Sequence, residues 1–325
     1  MSDFPCIPNI GFFGSIAFLE SSLTFVAIFT TPIQIFGLWC IVSRSKDDLT
    51  SAKWTLLHVH VATSIFNVTI TLLSVPYLLL PGIGGIPNGF LSKNSFGFEV
   101  PVKLQFLLLM VELALMALSN LSMIESRFSL LFVKPEQFWR KVRRPWMTIH
   151  YFKVLGLLVL AIRTLPDQSE ARELVFKTLP CLPKDVYDSV NVFILTVNFS
   201  ILIVTFTIFI LIIISEIVFL GMLFLLFSAE QVQSCSISRR QFTDQITFFF
   251  KLVGHVAIPL ISLIIPLIYA TYSVFFNYFN PVLNNFLVVI MASSHGAASS
   301  MVMIVVHGSY RKALISIISP RNQRA

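Results

Sequence analysis

The residues able to carry charge or move protons are few, and most stand alone inside apolar runs. Glu112, Glu216 and Lys251 each sit among aliphatic neighbours. An ionised group in such surroundings is costly unless it turns toward a protein interior, a partner or water. Glu112 lies three, four or seven positions from Gln105, Leu108, Leu109 and Met116. That spacing puts them on a similar helical face, one that together with Tyr269 is a candidate lining for a ligand pocket opening outward. The alternative is a protonated Glu112 that hydrogen-bonds a neighbouring helix. Glu216 and Lys251 are a candidate pair across a bundle, with Lys251 snorkelling on its own as the alternative. His58 and His60 are two apart, share no helical face, and read as packing rather than as metal ligands. Gly-rich phosphate loop, metal-ligand cluster and paired catalytic carboxylates are all missing from the sequence, so neither an enzyme nor a cofactor is expected.

The elements that hold these residues follow from composition. Apolar residues make up 56% of the 325, charged residues 12%, and 32 are Phe, which leaves too little polar surface for a soluble domain. Seven apolar stretches are long enough to cross about 30 Å of hydrocarbon as helices. They cover roughly residues 15–42, 54–80, 100–124, 148–165, 191–227, 246–273 and 282–306, with a tail at 307–325. The expected architecture is an all-α, single-domain bundle of seven transmembrane helices. The fourth stretch is short, with Lys153 and Arg163 toward its ends, where they can snorkel. The fifth overshoots the bilayer and should project beyond it. Pro259 and Pro266 in the sixth each remove a backbone donor and favour a kink.

Loop charge sets the threading. With the N-terminus outside, fifteen Lys and Arg fall on the cytoplasmic side and only Lys93, Arg172, Lys177 and Lys184 outside. The tail therefore belongs in the cytoplasm. The first fourteen residues lack the basic start of a cleavable leader, so the first span is expected to remain as an anchor. Three glycosylation triplets, at Asn67, Asn120 and Asn198, fall inside spans, and no glycan is expected. Cys6 and Cys181 share the oxidising side, while Cys40 and Cys235 face the reducing one. A Cys6–Cys181 bridge is thus the pairing that compartment allows, two free thiols being the alternative.

The C-terminal residues are the most specific. Ser293-Ser294-His295-Gly296-Ala297-Ala298-Ser299-Ser300 leads through Met301-Val302-Met303 to His307-Gly308-Ser309-Tyr310-Arg311-Lys312. This run resembles the end of the last helix in nematode serpentine chemoreceptors of class H (Srh). Pro76-Tyr77-Leu78-Leu79-Leu80-Pro81 with its Gly-rich sequel, and Ile124-Glu125-Ser126-Arg127-Phe128, agree with the same family. Two positions depart from it: Ser309 stands where a Pro usually precedes Tyr-Arg, and Ser126 where Asn is commoner. Small side chains at 293–300 let helices approach closely and let hydroxyls bond between them. His295 and Gly296 read as packing there, with a conformational switch as the alternative. Tyr310 to Ile318 reads as a short amphipathic helix on the inner leaflet.

The resemblance implies a G-protein-coupled receptor in the plasma membrane of chemosensory neurons, used for olfaction or a related sense. Its partners would be a small chemical cue and a heterotrimeric G protein, with no nucleic acid. It also implies that Arg127, beside Glu125, holds the resting bundle and then meets the G protein. Arg239, Arg240, Arg311 and the basic run from Lys134 to Arg144 would border the docking groove. A ligand-gated channel and a small-solute transporter are the alternatives. The first is disfavoured where its known forms keep the N-terminus inside, the second by the absence of a repeated half.

Overall fold

A computed structural model of the chain describes residues 11–44, 50–93, 100–133, 137–179, 182, 184–187, 189–197, 200–234, 238–306 and 308–318. Among the described residues, seven helices are long and apolar enough to cross a membrane. They are α1 (Ile16–Arg44), α2 (Thr50–Val68, extended by a π-turn at Thr69–Leu73), α3 (Val102–Phe132) and α4 (Phe138–Arg163). After two short helices, α5 (Gln168–Thr178) and α6 (Lys184–Tyr187), come α7 (Ser200–Gln233) and α8 (Arg239–Phe275). The last span is composite: α9 (Pro281–Ser293), a π-turn (Ser294–Ala298) and α10 (Ser299–Val306), followed by α11 (Gly308–Ile318).

Local chemistry accounts for three of the helix starts. Asn280 caps α9 by accepting from the Leu283 amide, with Pro281 at the first helical position, where its missing N–H costs nothing. Ser238 and Gln241 form a reciprocal capping box at the start of α8. Asp167 accepts from the Ser169 and Glu170 amides and starts α5.

One element is not helical. Strands β1 (Pro76–Leu78), β2 (Ile83–Pro87) and β3 (Phe193–Thr196) form an antiparallel sheet in the order β1-β2-β3. Tyr77 pairs with Ile86 and Gly84 with Ile194. Val75 leaves α2 with φ 47°, a left-handed backbone rare for a β-branched residue, and Pro76 then biases the chain away from helix. At Gly85 a Cβ would fall 2.3 Å from the Tyr77 carbonyl oxygen, so a side chain there would force the strands apart.

These strands correct two expected boundaries. The second span was expected to reach residue 80, but helix ends at Leu73; the fifth was expected from 191, but β3 precedes a helix that begins at Ser200. Short apolar runs look the same to periodicity whether they are strand or helix. The fourth span was expected at 148, yet α4 starts at Phe138, so Arg140, Lys141, Arg143 and Arg144 lie on a helix rather than in a loop. Ten extra residues add about 15 Å of rod.

Side chains complete the sheet edges. Gln168 accepts from the Ile194 amide and donates to the Ile194 carbonyl, substituting for a neighbouring strand at β3. On the other side the Asn284 amide donates to the Leu78 carbonyl. The Tyr77 hydroxyl donates to Gly14 O at 3.0 Å, and Asn285 to Phe13 O and Ser15 O, so the start of the first span is bound to the same end. Beneath the sheet the core of the described residues has two large clusters and a small one around Leu107, Ala161 and Leu202. Of the large ones, the first joins α1, α2, the sheet and α9 around Leu23, Phe66, Tyr77 and Val288, and the second joins α3, α7, α8 and α10 around Leu118, Ile213, Leu263 and Met303.

Candidate functional site

Directly under the sheet lies a cavity of about 270 Å³. Its roof is Pro76, Leu78, Leu80, Ile83 and Leu195; its walls include Phe106, Leu109, Met110 and Leu113 of α3, with Phe206 of α7, Leu267 of α8 and Met291 of α9. The surface is almost wholly hydrocarbon. The one hydroxyl in the lining, on Thr271, already donates to the Leu267 carbonyl. Such a site recognises shape and apolar area and has nothing with which to offset the desolvation of a charged ligand.

A polar layer lies beside and below the cavity. The Thr69 hydroxyl donates to Glu112 Oε1 at 2.9 Å, joining α3 to the π-turn of α2. Asn67 donates to Ala292 O at 2.7 Å and accepts from the Thr30 hydroxyl at 3.0 Å. His295 is fully buried, its Nδ1 2.8 Å from the Met291 carbonyl it bonds, with the Ser262 hydroxyl of α8 3.1 Å from the same ring. Phe66 meets it edge-on. His60 Nε2 bonds the Gln34 carbonyl, tying α2 to α1.

At the opposite end of the bundle, Glu125 Oε2 accepts from Arg143 at 2.9 Å and Oε1 from the Trp139 indole at 3.1 Å. Arg143 also donates to Ser129. Arg127, buried two residues further along α3, interacts electrostatically with Tyr310 of α11, itself buried like Ala313 while Arg311 and Lys312 are exposed. Arg239 and Arg240 are exposed on the first turn of α8. Between α4 and α7, His150 Nε2 stands 3.1 Å from Glu216 Oε2.

The structure separates the residues grouped by spacing. Of Gln105, Leu109, Glu112, Met116 and Tyr269, only Leu109 lines the cavity. Gln105 bonds Ser92 and the Val100 carbonyl, Glu112 bonds Thr69, and Met116 packs into the core beside α2. Tyr269 is half-buried on α8 outside the lining. The cavity face of α3 is Phe106-Leu109-Met110-Leu113, rotated by about one residue, some 100°, from the expected one. Glu216 stands against His150; the side chain of its expected partner Lys251 lies outside the described residues, as do Lys134, Cys6, Cys181 and Cys235. Asn67 and Asn120 are both buried inside the bundle.

The family model described as "Serpentine type 7TM GPCR chemoreceptor Srh" matches residues 14–320. Among solved structures, the crystal structure of squid rhodopsin is similar over 99% of this chain and 89% of its own, with a TM-score of 0.56 and 13% identity. That likeness is one of fold. A search of curated proteins found no match.

Proposed function

The chain belongs to the Srh family of serpentine seven-transmembrane chemoreceptors and is a chemosensory G-protein-coupled receptor; from that premise we propose that it binds a small apolar molecule under the sheet and activates a heterotrimeric G protein at its basic end. The observation that carries this reading is the make-up of the cavity wall, which draws hydrocarbon from α2, α3, α7, α8, α9 and the sheet at once. An occupant would touch most of the helices whose far ends form the basic face. Leu267, Ala270 and Thr271 follow Pro266 directly, so ligand contact bears on the stretch of α8 where the backbone ladder is interrupted.

The N-terminus faces outside and the tail the cytoplasm, a threading supported by the concentration of Lys and Arg at one end. In this reading the membrane is the plasma membrane of chemosensory neurons. Arg127, Arg239, Arg240 and Arg311 contact the G protein once α8 moves, while Glu125 anchors α3 to α4 and His295 with Gly296 forms the packed joint of the last span. The test is a panel of volatile and water-soluble odorants on cells expressing the chain, with GTP exchange and membrane current read in parallel. Leu113→Trp, which fills the cavity, should abolish the agonist response at unchanged surface level. A current persisting without G proteins, or a full response in the filled variant, overturns the reading.

A further inference from the structure

A second cavity, of about 450 Å³, opens at the basic end between α3 and α4. Ser122 and Glu125 form one wall, and Arg143, Arg144, Met147 and Thr148 the other. Arg140, Arg144 and Thr148 are four apart, and Arg140, Arg143 and Met147 three and four apart, so one edge of α4 gathers the positive charge. Glu125, the acid in this wall, is already paired with Arg143 and accepts a hydrogen bond from the Trp139 indole. Among the described residues, Arg140, Lys141 and Arg144 have no ion-pair partner. The groove is therefore net cationic.

Its depth is the second observation. One turn beyond Arg144, α4 turns exposed hydrocarbon outward at Ile149, Phe152 and Leu155, the surface that acyl chains cover in a membrane helix. Trp139 and Trp146 meet at a tilt on the same stretch of α4, with ring centroids 5.4 Å apart, and indoles settle at the level of the headgroups. The arginines thus lie at phosphate depth, immediately above a greasy track.

We propose that this groove binds the phosphate headgroup of an anionic phospholipid from the leaflet at the basic end of the bundle. The phosphate sits against the Arg144 guanidinium, with its planar donor fork, and the acyl chains run along Ile149 and Phe152. Because Arg143 is shared between the groove and Glu125, an occupant adds a second anion to the link between α3 and α4 and tightens it.

The experiment titrates phosphatidylglycerol, phosphatidylcholine or inorganic phosphate against the purified full chain in detergent and counts bound lipid by native mass spectrometry. Arg144→Gln should weaken phosphatidylglycerol binding about fivefold, while Arg240→Gln, an equal loss of charge elsewhere at that end, should leave it unchanged. Thermal unfolding of each variant shows whether it is folded. Equal weakening by both substitutions would mean diffuse charge attraction and overturn the proposal. So would phosphatidylcholine binding as tightly as phosphatidylglycerol, or inorganic phosphate displacing the lipid at equal concentration, since the latter would make the site one for a free anion.

Discussion

Asn67 of α2 and Gly296 of the last span touch so closely that a Cβ on Gly296 would fall 2.6 Å from Asn67 Nδ2. The same amide bonds the Ala292 carbonyl and the Thr30 hydroxyl, so three spans meet at one side chain. The π-turn at Ser294–Ala298 lies at this contact, and its widened backbone turns His295 toward Ser262 of α8. A small-residue run noticed in the sequence thus has a specific use: it admits a polar side chain from α2 between the two halves of the last span.

Gly296→Ala should therefore displace the amide and lower stability by about 1–3 kcal/mol, the usual cost of overpacking. Ser293→Ala, which removes a hydroxyl bonded only within its own helix, should change stability by less than about 0.5 kcal/mol. Thermal unfolding in detergent separates the two. A Gly296→Ala protein as stable as the parent would mean that the joint yields freely.

Removing Arg143 strands a buried carboxylate. Arg143→Ala should cost on the order of 2 kcal/mol, below the 3–5 typical of a fully buried pair, because its side chain is 30% exposed and Trp139 still donates. Glu125→Gln, which keeps the volume and an acceptor, should cost less. Unfolding curves of the two single variants and the double variant give the coupling, and a value near zero would show that the pair does not join α3 to α4.

Gln168→Ala removes both side-chain bonds to Ile194 and leaves the β3 edge open. At roughly 1 kcal/mol for each neutral hydrogen bond, amide exchange across Phe193–Thr196 should accelerate tenfold or more, and a bound agonist should leave faster. Hydrogen exchange followed by mass spectrometry reads the first, ligand washout the second. Unchanged exchange would mean that β2 alone holds the strand.

Asp167 gives a pH dependence with a definite sign. Hydrogen bonds from the Ser169 hydroxyl and amide, and from the Glu170 amide, hold its carboxyl below the ordinary 3.8. With the folded value depressed, the cap contributes fully above the unfolded value, and the contribution is lost as pH falls through the folded one. The start of α5 should therefore fray below about pH 4. Asp167→Asn keeps an acceptor that does not titrate, so comparing exchange at Ser169–Ala171 in the two proteins at pH 3 and pH 6 isolates the effect. Identical ratios at both pH values would sink it.

Much of the bundle could be read from residues alone, because lipid as solvent demands long uninterrupted apolar helices. The run around His295-Gly296 and the Tyr310-Arg311 pair pointed to the family that the sequence comparison then matched over residues 14–320. Tyr310 does interact with Arg127, but through α11 folding back against α1 and α10, which brings together residues far apart in the chain.

The sequence by itself determined seven spans, the gathering of charge at one end and the small-residue joint in the last helix, since each is a local property of length, charge or side-chain size. Only the tertiary structure decided that Pro76–Leu78 and Phe193–Thr196 close a roof, that Glu125 turns to Arg143, and that Phe106 and Leu113 rather than Gln105 and Glu112 face the cavity. Helical spacing tells which residues share a face and says nothing of which neighbour that face meets. A rotation of one residue about the α3 axis exchanges a polar wall for a hydrocarbon one, and packing against α2 and α7 sets that rotation.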